Sequence, residues 1–386
     1  MSKKNNAIMH CSGCNWTLLN KSFWDQFTYD NPGTTEEDVL FEMYQLPLSF
    51  IAPLVFLYGV VVVISFCGNI VVFYTICDVK GLHITVTNFF IANLSISDIL
   101  MTVLCIPTTI VSDIIFKHWV MGSFMCPVLH YLQLVVVMQR AFAMVAITCD
   151  RHFLMSNPLK KRMTKPTARL LVILLWLAAC IIAIPTAMFS QIHYLQYEPG
   201  SYGLCIEIWE THRLRNVYSI IIQLLQYVIP LIIMICAYIH IGYMIWIKPT
   251  PGEAIKERDK RIALSKRKSL KMLFTLVSVY AITWLPIHII TTIADLNPTL
   301  YDHRFAHILW LSFHWLAFSN TGINPMVYCW VNKTFQKKLR LLLHLPVGNR
   351  RKSYKEQKGY RLSNGICFSK RRREAFKEKK KETVIS

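Results

Sequence analysis

Two arginines stand inside an otherwise apolar stretch, MQRAFAMVAITCDRH at residues 138–152. Arg140 and Arg151 are eleven residues apart, close to a whole number of 3.6-residue turns, so a helix places both on one face, about 16 Å apart. The acids that could answer them are few: Asp150, directly before Arg151, and Asp98, inside a second apolar stretch. An ionisable group at membrane depth marks a functional position by default and needs a partner. The chemistry on offer is ion pairing and its release. No nucleophile–base or metal-ligand spacing accompanies these residues within the apolar stretches, and His10-Cys11-x-x-Cys14 has neither zinc nor haem spacing. No catalytic residue, cofactor or metal is therefore expected.

These residues must be positioned by membrane-spanning helices. The chain is 54% hydrophobic and only 17% charged over 386 residues, with a mean hydropathy of +0.37, a balance few water-soluble domains reach. Seven runs are long enough to cross ~30 Å of hydrocarbon: 47–77, 84–112, 124–150, 168–189, 217–247, 270–294 and 305–331. Pro185, Pro230, Pro286 and Pro325 fall within these runs, where each removes a backbone hydrogen bond and permits a bend. The fold expected is an all-α membrane protein, a bundle of seven helices with polar groups inside it.

Charge sets its orientation. Residues 1–50 carry three basic and six acidic side chains, whereas 151–169 carry six basic and none acidic, 248–271 nine and three, and 332–386 eighteen and four. Basic segments stay cytoplasmic, so the N-terminus is placed outside and the C-terminus inside. The first forty residues lack the apolar core of a cleavable signal, which leaves the first run to direct insertion. Sequons at Asn15 and Asn20 then lie in an outer tail and are glycan acceptors, while those at Asn93 and Asn332 fall in a span and on the inner side and stay silent. The net charge of +20 is segregated to one side of the membrane, which favours contact with anionic inner-leaflet lipid over nucleic acid. Most of the twelve cysteines sit in apolar runs as small hydrophobes. Cys126, at the outer end of the third run, and Cys205, in the loop before the fifth, both face the oxidising side, which favours a disulfide between them. Cys11 and Cys14 could pair too, or lie in an irregular tail.

The motifs now fall into a known order. Gly68-Asn69, Asn93-Leu94-Ser95-Ile96-Ser97-Asp98, Asp150-Arg151-His152, Trp176, Pro230 with Tyr238, Trp284-Leu285-Pro286 and Asn324-Pro325-Met326-Val327-Tyr328 stand at the spacing of rhodopsin-like G-protein-coupled receptors. The chain resembles that family through all seven runs, and Trp119 with Cys126 resembles its first outer loop and disulfide. The resemblance implies a tail (1–46), a seven-helix domain (47–331), a short amphipathic eighth helix at 332–345 and a basic cytoplasmic tail (346–386). It also implies a plasma-membrane receptor that signals to a heterotrimeric G protein, with arrestin and receptor kinases as further partners. Ser353, Ser363, Ser369, Thr383 and Ser386 are candidate kinase sites, and Cys367 a candidate palmitoylation site.

By that resemblance Asp98, Arg140, Asp150, Arg151, Tyr238, Trp284, Pro286, Asn324, Pro325 and Tyr328 form the activation switch, Arg151 being held by Asp150 at rest and released towards Tyr238. His152 stands where tyrosine is commoner. Arg140 departs further, because its position usually holds a small polar residue that helps coordinate sodium. A guanidinium paired with Asp98 would replace a removable ion by a tethered cation and make ligand affinity insensitive to sodium. An arginine in mid-span costs about 3 kcal/mol on insertion scales, which argues for such a partner.

The ligand end resembles peptide receptors. Gln133 stands where amine receptors carry an aspartate, and 305–329 lack the lysine that opsins need. Thr109, Gln133, Gln226, Asp295 and His314 match positions that, in receptors for neuropeptide Y, neuropeptide F and RF-amide or RY-amide peptides, surround an amidated C-terminal dipeptide. Asp295 matches the acid that pairs with a ligand arginine. Trp284, His288 and Thr291 are expected beside them, although that group often has tyrosine at Ser112, asparagine at Thr291 and a smaller residue at His288. Gln133, Gln226 and His314 offer neutral donors and acceptors with no lysine or arginine expected nearby, which favours a carboxamide over a free carboxylate. The function expected is a receptor for an amidated neuropeptide; an unrelated peptide or small ligand on the same fold is the alternative. A transporter would be favoured by internal repeats, and none is seen.

Overall fold

Each of the seven apolar runs forms a helix in the computed structural model, which describes residues 9–11, 14–16, 46–77, 86–156, 163–197, 200–247, 256–296, 304–331 and 336. They are α1 (Leu48–Cys77), α2 (Val86–Ile115), α3 (Met125–Ser156), α4 (Lys165–Phe189), α5 (212–247), α6 (Lys256–Leu296) and α7 (Arg304–Val331). The first six hold stretches long and apolar enough to cross a membrane. α7 has the length, 28 residues, but His307, Asn320 and Asn324 lower its hydropathy, and all three are buried. The bundle is thus apolar outside, with Phe56, Ile173, Ile239 and Trp330 exposed, and polar within, the arrangement a lipid solvent demands. α3 runs through the middle, against α2, α4 and α5, while α7 packs between α1 and α6.

Two antiparallel hairpins add to the helices expected: β1 (Met9–Cys11) with β2 (Cys14–Trp16), and β3 (Ser190–Tyr197) with β4 (Gly200–Glu207). The second hairpin occupies what hydropathy shows only as a loop. It is pinned at the end of the bundle expected to face outside, where Cys205 of β4 forms the expected disulfide with Cys126 in the first turn of α3. Trp119 packs on that bridge, and its backbone N–H donates to the Gly203 carbonyl at 2.7 Å. Asn15 lies in β2. Asn20, the amphipathic helix at 332–345 apart from Gln336, the kinase sites and Cys367 lie outside the described residues.

Prolines shape the interior, and the carbonyls that two of them release are bonded elsewhere. Pro230 has no N–H to give the carbonyl of Gln226, four residues back; the Tyr280 hydroxyl donates to it at 2.5 Å. Pro325 leaves the carbonyl of Thr321 in the same way, and Asn69 Nδ2 donates to it at 3.1 Å. At Gly68 a Cβ atom would come within 2.8 Å of Pro325 Cβ, so the glycine is what lets α1 lie this close to α7. The motif pairs Gly68-Asn69 and Asn324-Pro325 are therefore two sides of one contact.

Candidate ligand-binding site

A cavity of about 280 Å³ opens between the outer halves of the helices, lined by residues of α2–α7 and β4. Of the residues expected from sequence it gathers Gln133, Gln226, Trp284, His288, Thr291 and His314. Gln226 reaches it from a π-helical turn, Leu224–Val228, just before Pro230. His314 is held between Trp310 and Phe318, with ring centroids 4.7 and 4.0 Å away, and its Nδ1 lies 2.8 Å from the Tyr58 hydroxyl. Trp284 Nε1 and His288 Nε2 are buried with no hydrogen-bond partner among the described residues. Each such buried polar atom is destabilising by about 1–3 kcal/mol until something bonds to it. Both residues line the cavity, so a ligand carrying hydrogen-bonding groups suits it.

Two sequence expectations are corrected here. Thr109 and Asp295 are buried but do not belong to the lining of this cavity. Thr109 Oγ1 has no hydrogen-bond partner among the described residues. Asp295 sits just behind the lining, where it accepts Arg215 Nη2 at 2.9 Å and Ser219 Oγ at 2.5 Å. Arg215 itself lines the cavity, so the expectation that no basic side chain lies nearby fails. Hydropathy starts the fifth run at 217, but Thr211 caps a helix that begins at His212, its side chain accepting the Leu214 N–H at 3.3 Å. That additional turn turns Arg215 inward, and the threonine followed by three helix-compatible residues was the available signal.

The cavity mouth is rich in charge. Besides Arg215, Glu207 at the end of β4 lines it, accepting Trp209 Nε1 at 2.9 Å. Burial pushes the Glu207 carboxyl above the usual carboxylate range, and the Trp209 hydrogen bond and the Arg215 charge pull it partly back. Below, the walls are neutral. Eleven residues of helix separate Arg215 from Gln226, about 16 Å along the axis, so charge and neutral polarity occupy opposite ends of the cleft.

Beneath the cavity lies the second buried arginine. Arg140 Nε donates to Asp98 Oδ1 at 2.6 Å, and its Nη2 donates to Asn320 Oδ1. Asn324 Nδ2 donates to the other Asp98 oxygen at 2.8 Å, and Asn320 Nδ2 to Thr283 Oγ1 at 2.8 Å. The Arg140 guanidinium carbon stands 6.0 Å from the centre of the Trp284 ring, within cation–π range. Outward snorkelling is thereby excluded, and α2, α3, α6 and α7 meet on one cation. Tyr328 OH, nearby in sequence to Asn324, is buried with no hydrogen-bond partner among the described residues.

At the inner end, Asp150 accepts Thr87 Oγ1 of α2 at 2.5 Å. Tyr238 OH lies 3.2 Å from Thr148 Oγ1, one turn before Arg151. His152 Nε2 meets His240 Nδ1 at 2.6 Å, joining α3 to α5. Asn93, buried in α2, accepts Trp176 Nε1 at 3.0 Å, which removes its sequon from any glycan.

Comparison with known proteins bears on the fold. Residues 68–328 match the model of the 7 transmembrane receptor (rhodopsin family). The chain is 33% identical to a RYamide receptor of Drosophila melanogaster over 348 residues, 88% of this chain and 72% of that receptor. It is equally identical, 33%, to a RYamide receptor of Tribolium castaneum over 86% of this chain and 89% of that one. It is 30% identical to the tachykinin-like peptides receptor 86C of Drosophila melanogaster, over 89% of this chain and 68% of the other.

Proposed function

The chain belongs to the rhodopsin family of seven-transmembrane receptors, a multi-pass membrane family of receptors rather than enzymes, and from that premise we propose that it is a receptor for a C-terminally amidated neuropeptide ending in arginine and one further residue. The observation that carries the reading is the division of the cleft: a charged mouth, where Glu207 and Arg215 line the cavity and Asp295 stands just behind them, above a neutral, hydrogen-bonding floor at Gln133, Gln226, Trp284 and His288. A terminal carboxylate placed at that floor would lose its water without gaining a counter-charge, whereas a carboxamide both donates and accepts. The Trp284 indole N–H suits its oxygen. The correction at Arg215 does not reverse this, because that arginine is paired with Asp295 and lies some three turns above Gln226. The similarity to RYamide receptors supports the same class of ligand.

Peptide contacts made better in one arrangement of the helices shift the population towards it. Trp284 couples the cavity to the Arg140–Asp98 network beneath, and through α6 and α7 to the inner end. There Asp150, Arg151, Tyr238 and the basic segments face a heterotrimeric G protein, with receptor kinases and arrestin acting on the tail, the N-terminus outside, and glycans at Asn15 and Asn20.

The test is a calcium and cAMP response in transfected cells to short peptides ending in Arg-Tyr-amide or Arg-Phe-amide, each beside its free acid. Responses to the amides alone support the reading. Silence from every peptide at a surface-expressed receptor, or equal potency of the free acids, overturns it.

A further inference from the structure

Asp295, the acid that would receive a ligand arginine, is already occupied by an arginine of the chain itself. Arg215 Nη2 and Ser219 Oγ both donate to its carboxylate, and Asn216 Nδ2 donates to its backbone carbonyl at 3.0 Å. All three donors stand in the first turns of α5, so one residue near the end of α6 is gripped by three residues of its neighbour. One turn deeper, Thr292 Oγ1 donates to Gln223 Oε1 at 2.6 Å and continues the same seam. The grip is strong because parting the ion pair would leave two buried charges uncompensated.

Arg215 also has a second acid within its surroundings. Glu207 projects from β4 into the same cavity that Arg215 lines, and β4 is fixed in place by the Cys126–Cys205 disulfide two residues before it. The Trp209 indole holds one Glu207 oxygen, so this acid is positioned rather than free to follow the arginine. A guanidinium presents donors along more than one edge and can pass between two carboxylates without ever losing both.

We propose that Arg215 is an internal stand-in for the ligand's guanidinium: it clasps α5 to α6 through Asp295 until an incoming arginine takes that acid and Arg215 passes to Glu207. The exchange matches two guanidiniums to two acids, so a ligand cation enters without leaving a buried charge bare. A neutral ligand cannot perform it. Binding is thereby joined to release of the outer end of α6, and the chain selects guanidinium-bearing peptides by what they displace as well as by what they contact. This inference rests on the arginine-peptide reading above, but its first arm needs no ligand.

The experiment compares wild type, Arg215→Gln, Asp295→Asn and the double variant Arg215→Gln/Asp295→Asn at matched surface expression. The first readout is basal G-protein signalling without peptide, which should rise at least threefold in each variant because each opens the clasp. The second is the potency ratio of an Arg-Tyr-amide peptide to its citrulline counterpart, equal in shape but neutral. That ratio should rise about tenfold in Arg215→Gln, where the ligand no longer competes, and fall to near one in Asp295→Asn. If Arg215→Gln does not reach the surface, the double variant, which removes the Asp295 charge together with its partner, carries the basal test. Basal signalling unchanged in every expressed variant, or a lower arginine-to-citrulline ratio in Arg215→Gln, overturns the clasp. Raised basal signalling together with a wild type silent to all amidated peptides would sustain the clasp and remove the ligand assignment instead.

Discussion

Two arginine–aspartate pairs are buried among the described residues, and they are built for opposite purposes. Exposure does not separate them: it is 1% and 0% for Arg140 and Asp98, 2% and 5% for Arg215 and Asp295. Their company does. Arg140 is enclosed by Asp98, Asn320 and Trp284, with Asn324 fixing the acid from behind, and among the described residues no second carboxylate partners it. Arg215 lines an open cavity and has Glu207 beside it. A pair with one acid is a fixed joint, whereas a pair with two acids and access to ligand can exchange. The energy of a buried ion pair is therefore less informative than the alternatives available to each charge once the pair breaks.

The largest effect should come from breaking the fixed joint. Arg140→Met leaves Asp98 charged and buried, which destabilises by about 3–5 kcal/mol; surface expression and the thermal half-life of the solubilised receptor should both collapse. Adding Asp98→Asn should recover much of the loss, and a single variant as stable as wild type would show that the joint is dispensable. A gentler version sharpens the contrast. Wild-type agonist affinity should be the same in sodium and in choline, while Arg140→Ser, with room beside Asp98, should acquire a specific sodium response.

At the mouth the loss should fall on ligand rather than on folding. Asp295→Ala should weaken an Arg-Tyr-amide agonist by about 2–5 kcal/mol, the range for truncating one partner of a desolvated charge pair, with expression largely kept. Collapse of expression with no change in potency would mean that the two pairs do not differ in kind. Gly68→Ala tests the α1–α7 packing without touching the mouth. The added methyl meets Pro325, so stability should fall by about 1–3 kcal/mol while the arginine-to-citrulline potency ratio stays unchanged. The smallest effect is on pH. Because burial raises the Glu207 carboxyl, it takes up a proton at a higher pH than a free glutamate. Mild acidification therefore removes negative charge from the mouth, and potency of arginine peptides should decline on acidification in wild type but less in Glu207→Gln.

Much of the bundle was legible in sequence because it rests on short-range rules. Seven apolar runs and the polar residues within them are properties of consecutive residues. The Arg140–Asp98 pair was legible for the same reason: two opposite charges in hydrocarbon have few choices. Asp295 was not legible. Its family position suggests a ligand partner, and only three-dimensional packing shows that Arg215, eighty residues earlier in the chain, already holds it. Arg215 itself was missed because hydropathy ends a helix where apolar residues end, whereas Thr211 starts one by bonding its first backbone donors. The β3–β4 hairpin escaped for a related reason, since Leu204, Cys205 and Ile206 are buried in succession and leave no alternation of apolar and polar residues to see.

The measurement closest to the central claim is a binding cycle. Affinities of an Arg-Tyr-amide peptide and its citrulline counterpart would be measured on purified wild type and Asp295→Asn, four values giving one coupling energy. A coupling of about 1.5 kcal/mol or more is expected, as for close charge pairs across an interface. A coupling near zero, with both peptides weakened equally, would mean that Asp295 shapes the helices and never meets the ligand arginine.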